Sequence, residues 1–446
     1  MQINAREKVE AALDAINRHG DAINGMITVT ADLAREAADE ADRAAAEGRW
    51  LGLLHGLPMA IKDNIQSAGV RTTSGSLHFK DVVPNQDAFV MRRLKAAGAV
   101  ILGKATMHEL AFGVRSDNPI SGQCQNPWDL TRIPGGSSGG SGAVIAAGMV
   151  EGTLGTDTGG SVRLPAAMNG VAGLRPTHGR VPNHGSTPVS LAYDTIGPMA
   201  RRVDDVARIL AVIAKEEPGS APTGPSDLGN FLPGLNGGVD GLRLGLPRNH
   251  YFEDCDGEIA EAVLAGARTL EEQGAKIIEI DVDGAEDTHQ WATIHIYADA
   301  CAYHAERLDE HPELFSPAVL ERMLVGRKFS GVDYAKATRA RETWQLTIAK
   351  LFEDIDIMFS PTTPAPPPLI KEDKSLLEAT RDASQNTYAG GFGAYPGLSL
   401  PCGLSKAGLP IGMQLEGAWW QEPTLLRAGC CYQSVTNWHL AKPRLS

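Results

Sequence analysis

The chain has 446 residues, of which 43% are hydrophobic and 21% charged, so it is long and apolar enough for a large folded domain. Asp and Glu outnumber Lys and Arg by 54 to 41, and the net charge of −13 argues against binding nucleic acid or an anionic membrane through bulk charge. No apolar run is long enough to cross a bilayer, and the first twenty residues lack the apolar core of a signal peptide. The six cysteines form no CxxC pair, which is typical of a reducing compartment. We therefore expect a cytoplasmic protein.

The first third of the chain alternates between patterns typical of helices and of strands. Apolar residues at helical spacing and Ala-rich, charged stretches predict helices, whereas short apolar runs between Gly, Pro and polar residues predict buried strands. The predicted helices are 5–18, 31–47, 88–97 and 138–149, and the predicted strands are 59–61 and 99–102.

The remainder continues this alternation after a segment rich in Pro and Gly at 215–241, which we interpret as a surface connection. Alternating strands and helices favour a layered α/β architecture. The predicted elements are strands at 242–246, 276–280 and 355–359, a helix at 257–274, and a mostly helical stretch at 286–352 that carries several aromatic residues.

Two glycine-rich segments stand out, GGSSGGSG at 135–142 and GTDTGGS at 155–161. A P-loop needs Gly-Lys-Ser/Thr after its glycines and a dinucleotide fingerprint needs G-x-G-x-x-G directly after a strand, and neither pattern is present. Turns that only join core elements are one alternative. The segment 158–161, however, offers consecutive N–H groups without bulky side chains to shield them, as an oxyanion hole beside a nucleophile requires.

Ser161 closes this loop and is the candidate nucleophile. A Ser-His-Asp arrangement with G-x-S-x-G is not evident, because the twelve histidines are scattered and Ser161 is followed by Val162 and Arg163. A lysine can act as the base instead if burial lowers its pKa enough to populate the neutral amine. Lys62 is the candidate because it ends an apolar strand, although most lysines are solvated surface charges.

Several long motifs in the same order resemble the amidase signature family. The resemblance is dense over about 50–205 and returns at 355–417, and it implies an amidohydrolase with a Ser–cis-Ser–Lys triad. The motifs are GLPMAIKDNI at 56–65, NPWD at 126–129, GGSSGGSG at 135–142, GTDTGGSVRLPAAMNGVAGLRPTHGRVP at 155–182, DTIGPM at 194–199 and LPIGMQ at 409–414.

The resemblance also implies a fold and a domain organisation. We expect a single amidase domain over 1–446 with an amidase-signature-like α/β fold, in which helices flank a large twisted mixed β-sheet. Within it, 1–48 would form N-terminal helices, 50–205 the signature core and 215–241 the surface connection. The stretch 286–352 carries none of the family's motifs and would form a variable helical cap over the substrate.

The family's catalytic residues correspond to named positions of this chain. The resemblance implies Lys62 as the base, Ser137 as the bridging serine after a cis Gly136–Ser137 peptide, and Ser161 as the nucleophile. Neutral Lys62 would take a proton from Ser137 and Ser137 one from Ser161, which would form an acyl-enzyme that water hydrolyses. The oxyanion would be held by the N–H groups of Thr158, Gly159, Gly160 and Ser161.

Other residues are expected to support this centre. Ser138 would support the loop or cap the following helix, and Asp157 and Arg163 would pair to brace the nucleophile loop. Trp291, His295 and Tyr297 are candidates for the substrate pocket, although they could equally be helix core.

The pocket alternative comes from the resemblance, because the corresponding stretch in the family is variable and lies near the mouth of the pocket. The spacing of Trp291 and His295 is i, i+4, which places them on one face of a helix. The aromatic content of 286–352 also favours uncharged substrates that carry an apolar or aromatic group.

The main alternative within the family is the glutaminase subunit of an aminoacyl-tRNA amidotransferase, which supplies ammonia to a partner that acts on charged tRNA. The chain resembles these subunits at 387–401. They usually carry Asp three residues before the Thr that matches Thr387, where this chain has Ser384, and Asn where it has Gly391. Both departures favour a free-standing amidase.

An alternative from another class is a catalytically silent scaffold protein, which would require the loss of a triad member, and none is lost. The amidase hypothesis implies no cofactor and no metal, because the triad needs none and no His/Cys/carboxylate set has ligand spacing. It implies a small-molecule amide, anilide or carbamate substrate and neither nucleic acid nor membrane as partner. The sequence leaves open whether the chain forms a homodimer.

Overall fold

The computed structural model describes residues 4–217 and 231–445. All eleven strands found in these residues belong to a single sheet. In chain order they are β1 (Met26–Val29), β2 (Pro58–Lys62), β3 (Val100–Ala105), β4 (Gly152–Asp157), β5 (Ala172–Arg175), β6 (Thr195–Ala200), β7 (Arg243–Pro247), β8 (Lys276–Ile280), β9 (Ile357–Pro361), β10 (Gly397–Leu404) and β11 (Pro410–Glu416).

The described chain also contains fourteen α-helices. Those in the first half are α1 (Ala5–Ile23), α2 (Ala31–Ala46), α3 (Phe89–Ala96), α4 (Gly139–Ala146), α5 (Arg163–Asn169) and α6 (Val203–Ile213). Those in the second half are α7 (Gly257–Glu272), α8 (Thr288–Tyr303), α9 (Ala305–Glu310), α10 (Pro317–Gly326), α11 (Gly331–Asp354), α12 (Leu376–Ser384), α13 (Tyr388–Gly393) and α14 (Glu422–Val435).

The sheet is mixed, with the order β1-β3-β2-β4-β6-β5-β10-β11-β9-β7-β8. Parallel pairing occurs toward both ends, where β2 pairs with β3 and β4, and β7 pairs with β8 and β9. The middle strands pair antiparallel. This architecture confirms the predicted α/β fold with a large mixed sheet flanked by helices.

Apolar cores cover both faces of the sheet, which explains why strands such as β2 are buried along their whole length. All five residues of β2 are buried. Met59 and Ile61 point into one core, together with α3, α6, α7 and α14. Ala60 points into the opposite core, together with α1, α2 and α4. The alternation follows from the two-residue period of a strand.

The helices and strands predicted from periodicity are present, with ends displaced by a few residues. The stretch 286–352 is mostly helical, as predicted, and contains α8 to α11. The predicted surface connection 215–241 includes 218–230, which lie outside the described residues, and its later part contains a short 3-10 helix, Leu232–Asn236. The sequence did not predict β4, β5, β6, β10 and β11, whose glycines and prolines obscure a strand pattern.

A third core joins α8, α10, α11 and α13 into a helical wall beside the sheet. Tyr297 of α8 packs edge-on against Phe112, with ring centroids 4.9 Å apart. The indole of Trp344 on α11 donates a hydrogen bond to the Ala389 carbonyl of α13 at 3.1 Å. No helix within 4–217 and 231–445 has the length and apolarity needed to cross a membrane.

The parallel pairing of β2 with β4 determines where polar groups meet. Parallel strands place their carboxyl ends at the same edge of a sheet. Lys62 is the last residue of β2, and Thr156 and Asp157 end β4. The two motifs that contain these residues are about 95 positions apart in the sequence, yet the sheet brings them together.

The pairing of the edge strand β1 with β3 depends on Gly103, which has φ +147°. A Cβ at this position would lie 2.0 Å from the Thr28 carbonyl oxygen. We predict that Gly103→Ala lowers the free energy of unfolding by about 1–3 kcal/mol, because the two strands must separate to admit the methyl group. Urea denaturation followed by circular dichroism measures the loss.

Gly257→Ala is the matched control, since nothing lies within 4 Å of the added Cβ at the start of α7. Its free energy of unfolding should be unchanged or slightly higher, because alanine restricts the unfolded chain. Equal stability of the two variants would contradict the proposed dependence of the β1–β3 pairing on Gly103.

Candidate active site

Lys62 lies at the carboxyl end of β2 and is completely buried. Its Nζ donates to Ser137 Oγ at 2.7 Å and to Thr156 Oγ1 at 2.7 Å. Burial lowers the pKa of Lys62 to about 7, although the negative charges of Asp194 and Asp157 oppose that change. A substantial fraction of this amine is therefore neutral near neutral pH and able to accept a proton.

The bridging position lies in the glycine-rich loop before α4, where the Gly136–Ser137 peptide is cis. Ser137 is completely buried, and its carbonyl accepts the His108 N–H at 3.0 Å. Ser138 Oγ bonds the carbonyl and the N–H of Thr156, at 3.2 and 3.3 Å. Its side chain makes no capping hydrogen bond to α4. The prediction that Ser138 caps this helix is therefore wrong, and its contacts are with the backbone of Thr156.

Asp157 ends β4 and is the centre of a buried charge network. Its carboxylate accepts hydrogen bonds from Arg163 Nε at 3.0 Å, Arg175 Nη1 at 3.0 Å, and the N–H groups of Gly160 and Val162 at 2.8 and 3.2 Å. Burial alone would raise the pKa of Asp157, but the two guanidinium groups outweigh it and hold the pKa well below its usual range. The two side chains expected to pair, Asp157 and Arg163, are thus in contact.

Arg163 extends this network along the sheet to β11 and to the start of α13. It donates to the Thr387 carbonyl at 2.8 Å and to Gln414 Oε1 at 3.0 Å, and its Nη1 lies 3.3 Å from a Glu416 carboxylate oxygen. Burial raises the pKa of Glu416 to about 8. The loop after β4 is therefore attached to both β11 and the start of α13.

The candidate oxyanion hole has fewer available donors than the sequence suggested. The Gly160 N–H already donates to Asp157, so Gly160 is removed from the predicted set of four. Within the described residues, the N–H groups of Thr158, Gly159 and Ser161 donate to no protein acceptor. Gly160 has φ +133°, and a Cβ there would lie 2.2 Å from Thr387 Oγ1, so the loop conformation requires glycine.

The remaining loop residue, Thr158, is fixed through its side chain. Thr158 Oγ1 donates to Asp194 Oδ1 at 2.5 Å. Asp194 is almost completely buried at the start of β6, and burial raises its pKa to about 6. The sequence motif DTIGPM contains Asp194, but the motif alone indicated no role for it.

A small pocket opens at Ser161, which is half-buried, whereas Lys62 and Ser137 are completely buried and do not line it. No hydrogen bond joins Ser161 to Ser137 within the described residues. The pocket is lined by Thr158, Gly159, Ser161 and Leu164 on the side of the glycine loop, and elsewhere by Ala111, Phe112, Gly113, Val114, Val189, Ile296, Arg322, Thr380, Ser384 and Tyr388.

None of the three predicted pocket residues lines this pocket. Trp291 lies in a surface groove between α8 and α11. His295 is buried and bonds the Tyr193 hydroxyl at 2.6 Å. Tyr297 is buried behind the wall, and its hydroxyl accepts from Arg322 Nε at 2.8 Å.

The prediction of the pocket side chains of α8 was wrong because the i, i+4 rule identifies a shared face but not the neighbour that the face contacts. Ile296, between His295 and Tyr297, is the residue of α8 that reaches the pocket.

Four residues of the site were not identified from the sequence as functional. Thr156 and Arg175 were inside recognised motifs, as was Asp194, but their partners are distant in the sequence. Arg322 occurs in no motif, and only the packing of α10 brings it to the pocket. In the described part of the chain, no group of three or more His, Cys, Asp or Glu side chains is placed to hold a metal ion.

Comparison with known proteins gives matches over nearly the whole chain. The Amidase family model matches residues 7–426. A glutamyl-tRNA(Gln) amidotransferase subunit from Chloroflexus aurantiacus is 38% identical over 470 residues, covering 99% of this chain and 96% of that protein. An amidase of Pseudomonas putida is 38% identical over 452 residues, covering 100% of this chain and 95% of that protein.

A solved structure, described as a vestigial protein complex that reveals the origins of an s-triazine catabolic enzyme, superposes with a TM-score of 0.92 at 33% identity, covering 99% of this chain and 97% of that one. The chain therefore belongs to the Amidase family, the amidase signature enzymes, and is an enzyme that acts on carbon–nitrogen bonds other than peptide bonds.

Proposed function

We propose that the chain is an amidohydrolase that forms an acyl-enzyme on Ser161, with Ser137 and Lys62 as the proton relay. The observation that carries this proposal is the 2.7 Å hydrogen bond from the completely buried Lys62 Nζ to Ser137 Oγ. Hydroxyls and a carbonyl are the groups that accept from this amine, so no carboxylate in direct contact fixes it in the charged form. A neutral lysine can therefore act as the base.

In the proposed reaction, Ser161 Oγ attacks the carbonyl carbon of the substrate and passes its proton to Ser137, whose own proton moves to Lys62 Nζ. The N–H groups of Gly159 and Ser161 stabilise the oxyanion. When the tetrahedral intermediate collapses, the carbon–nitrogen bond breaks and Ser137 returns a proton to the leaving nitrogen. Water then attacks the ester by the same relay, which releases the acid and frees Ser161. Carbamates pass through the same kind of intermediate.

One charged side chain in the pocket lining, Arg322, would select among substrates. Arg322 of α10 is 4% exposed and is the one charged side chain among the described residues that line the pocket. Its guanidinium donates to the Tyr297 hydroxyl, the Phe112 carbonyl at 2.7 Å and Thr380 Oγ1 at 3.2 Å, and no carboxylate lies within ion-pair distance in the described chain. A buried cation without a counter-ion favours an anionic ligand.

We therefore propose a small amide that carries a carboxylate as the substrate class. A carboxylate bound beside Arg322 would supply the missing negative charge, and planar guanidinium groups bind carboxylates well. This proposal replaces the uncharged aromatic substrate expected from the sequence, since the aromatic side chains of 286–352 are mostly occupied in the wall itself.

Glutamine hydrolysis for transamidation is the second candidate. Relatives of 34–38% identity are named as subunits of glutamyl-tRNA(Gln) amidotransferase, so the comparisons support this alternative better than the free-standing amidase. Arg322 suits the carboxylate of glutamine. No acidic side chain stands among the described pocket residues to hold its ammonium group, and Ser384 occupies the position expected for one. The described pocket residues thus include a partner for the carboxylate of glutamine and no acidic partner for its ammonium group.

The catalytic assignment predicts the behaviour of three variants. Ser161→Ala should abolish covalent labelling by a fluorophosphonate probe and all turnover. Lys62→Ala and Lys62→Arg should each lower the labelling rate by about a hundredfold or more, because a guanidinium cannot be deprotonated to act as a base. In the wild type the rate should rise with pH through about 7, as Lys62 loses its proton.

Intact-mass spectrometry and peptide mapping measure this outcome. The label should be on Ser161. A label on Ser137 or Ser138, or a Lys62→Arg variant with the wild-type rate, would contradict the proposed roles.

The substrate class is tested with three amides of equal chain length. Glutaramate carries the carboxylate without the ammonium group, glutamine carries both, and pentanamide carries neither. We expect kcat/KM to be highest for glutaramate. Arg322→Met should lower kcat/KM for glutaramate by about a hundredfold or more while leaving that for pentanamide within about threefold, because only the former loses a charged partner. The rate of ammonia release measures the hydrolysis of each of the three amides.

The same panel separates the candidates. If glutamine is the preferred substrate, the transamidation alternative replaces the free-standing hydrolase. If pentanamide is hydrolysed as well as glutaramate, Arg322 does not select the substrate. Retained labelling of Ser161 in the Arg322→Met protein shows that the catalytic centre is intact.

A further inference from the structure

Asp194 is a buried carboxylate that the proposed reaction does not use. It lies just before β6 and accepts three hydrogen bonds, from Thr158 Oγ1 at 2.5 Å, the Val189 N–H at 2.8 Å and the Ser190 N–H at 3.1 Å. Two of these partners, Thr158 and Val189, line the pocket at Ser161. One carboxylate therefore joins the candidate oxyanion loop to another part of the pocket lining.

The connection continues into the helical wall. Ser190 Oγ donates to Asp299 Oδ2 of α8 at 2.5 Å, and the same carboxylate accepts the Tyr334 hydroxyl of α11 at 2.9 Å. The position of Thr158 is thereby linked through Asp194 and Ser190 to α8 and α11, whereas Asp157 fixes the loop from the side of the sheet.

The charge of Asp194 differs from that of Asp157 in how it is compensated. Asp157 is in contact with two guanidinium groups, whereas no basic side chain lies within ion-pair distance of Asp194 in the described chain. Of the charges that act on Lys62, Asp194 raises the pKa of that lysine more than Asp157 does. His108 also faces this centre, but burial lowers its pKa to about 3, so it is neutral.

We propose that Asp194 is a positioning residue that holds Thr158 against the pocket wall and, through its uncompensated charge, sets the pH at which Lys62 becomes a neutral base. This inference rests on the proposed roles of Ser161 and Lys62. The two functions can be separated chemically, because an amide at position 194 removes the charge and can keep the hydrogen bonds. The amide oxygen would accept the two backbone N–H groups, and its nitrogen would donate to Thr158 Oγ1.

The test is the pH dependence of labelling by a small fluorophosphonate, in which Ser161 Oγ bonds to phosphorus and fluoride leaves, so no substrate needs to be known. In Asp194→Asn the midpoint of the rising limb should move toward acid by about one pH unit, because the neutral form of Lys62 is no longer opposed by the nearby negative charge. Since Asp194 and Lys62 interact, the wild-type midpoint belongs to the pair.

Two further variants complete the comparison. Asp194→Ala removes both the charge and the hydrogen bonds, so its midpoint should shift likewise and its maximal rate should fall roughly tenfold below that of Asp194→Asn, as the loop loses an anchor. Asp205→Asn is the matched control. Asp205 is an acid on α6 whose pKa burial also raises to about 6, and it contacts no residue of the pocket, so its profile should equal that of the wild type.

The outcomes distinguish this inference from the proposed function. If wild-type Ser161 is not labelled, the proposed catalytic roles fail. If the wild type is labelled with a midpoint near 7 and Asp194→Asn has the same midpoint, the catalytic roles stand and the role of Asp194 is overturned. An unchanged midpoint in Asp194→Asn would overturn it even if Asp194→Ala failed to fold, because the amide variant keeps the anchoring hydrogen bonds.

Discussion

The structure of the site depends on Lys62, a lysine that is buried away from water and has no carboxylate in contact with its amine. A buried ammonium group is costly unless it is paired, so Lys62 bonded to hydroxyls and a carbonyl loses its proton more easily than a surface lysine. The charge of Asp157 raises the pKa of Lys62 less than that of Asp194 does, and Arg163 and Arg175 are in contact with the Asp157 carboxylate. The same carboxylate can therefore fix the nucleophile loop without converting Lys62 into a permanent cation. Of the two carboxylates whose charges raise the pKa of Lys62, Asp194 has the larger effect.

The candidate catalytic residues and much of the pocket lining come from different parts of the fold, the sheet and the helical wall. Strands β2 and β4 and the start of α4 hold the candidate catalytic residues beside a sheet that is buried on both faces. The wall that contains α8, α10 and α13 supplies Ile296, Arg322 and Tyr388 to the pocket at Ser161. Glu109 connects the two, since it accepts the Ser76 hydroxyl and the Ser316 N–H at the start of α10, both at 2.9 Å. Arg322 itself is held by the Tyr297 hydroxyl, the Phe112 carbonyl and Thr380 Oγ1.

The sequence predicts the residues whose role depends on local pattern, and it misses those whose role depends on distant contacts. Lys62 and Ser161 were identified because each lies inside an ordered motif, and the mixed sheet followed from the same resemblance. Trp291 and His295 do not line the pocket at Ser161. Periodicity predicts that they share a face of α8, but it does not predict which part of the protein that face contacts. Arg322 had no signal at all, because its importance arises from having no acidic partner after folding, which no local pattern records. The commitment of the Gly160 N–H to Asp157 is likewise a property of the folded loop.

The charges that line the pocket can explain how similar chains act on different substrates. A triad that contacts only the reacting carbonyl group treats glutamine and its uncharged analogues alike, so selection must come from charges placed farther away. Here the positive charge of Arg322 is present, whereas position 384 is a serine whose hydroxyl already donates to the Thr380 carbonyl at 2.5 Å. A hydroxyl oxygen so engaged is a weak partner for an ammonium group compared with a carboxylate. If Arg322 binds the substrate carboxylate as proposed, the side chain at position 384 would separate a pocket for a zwitterion from a pocket for a simple anion.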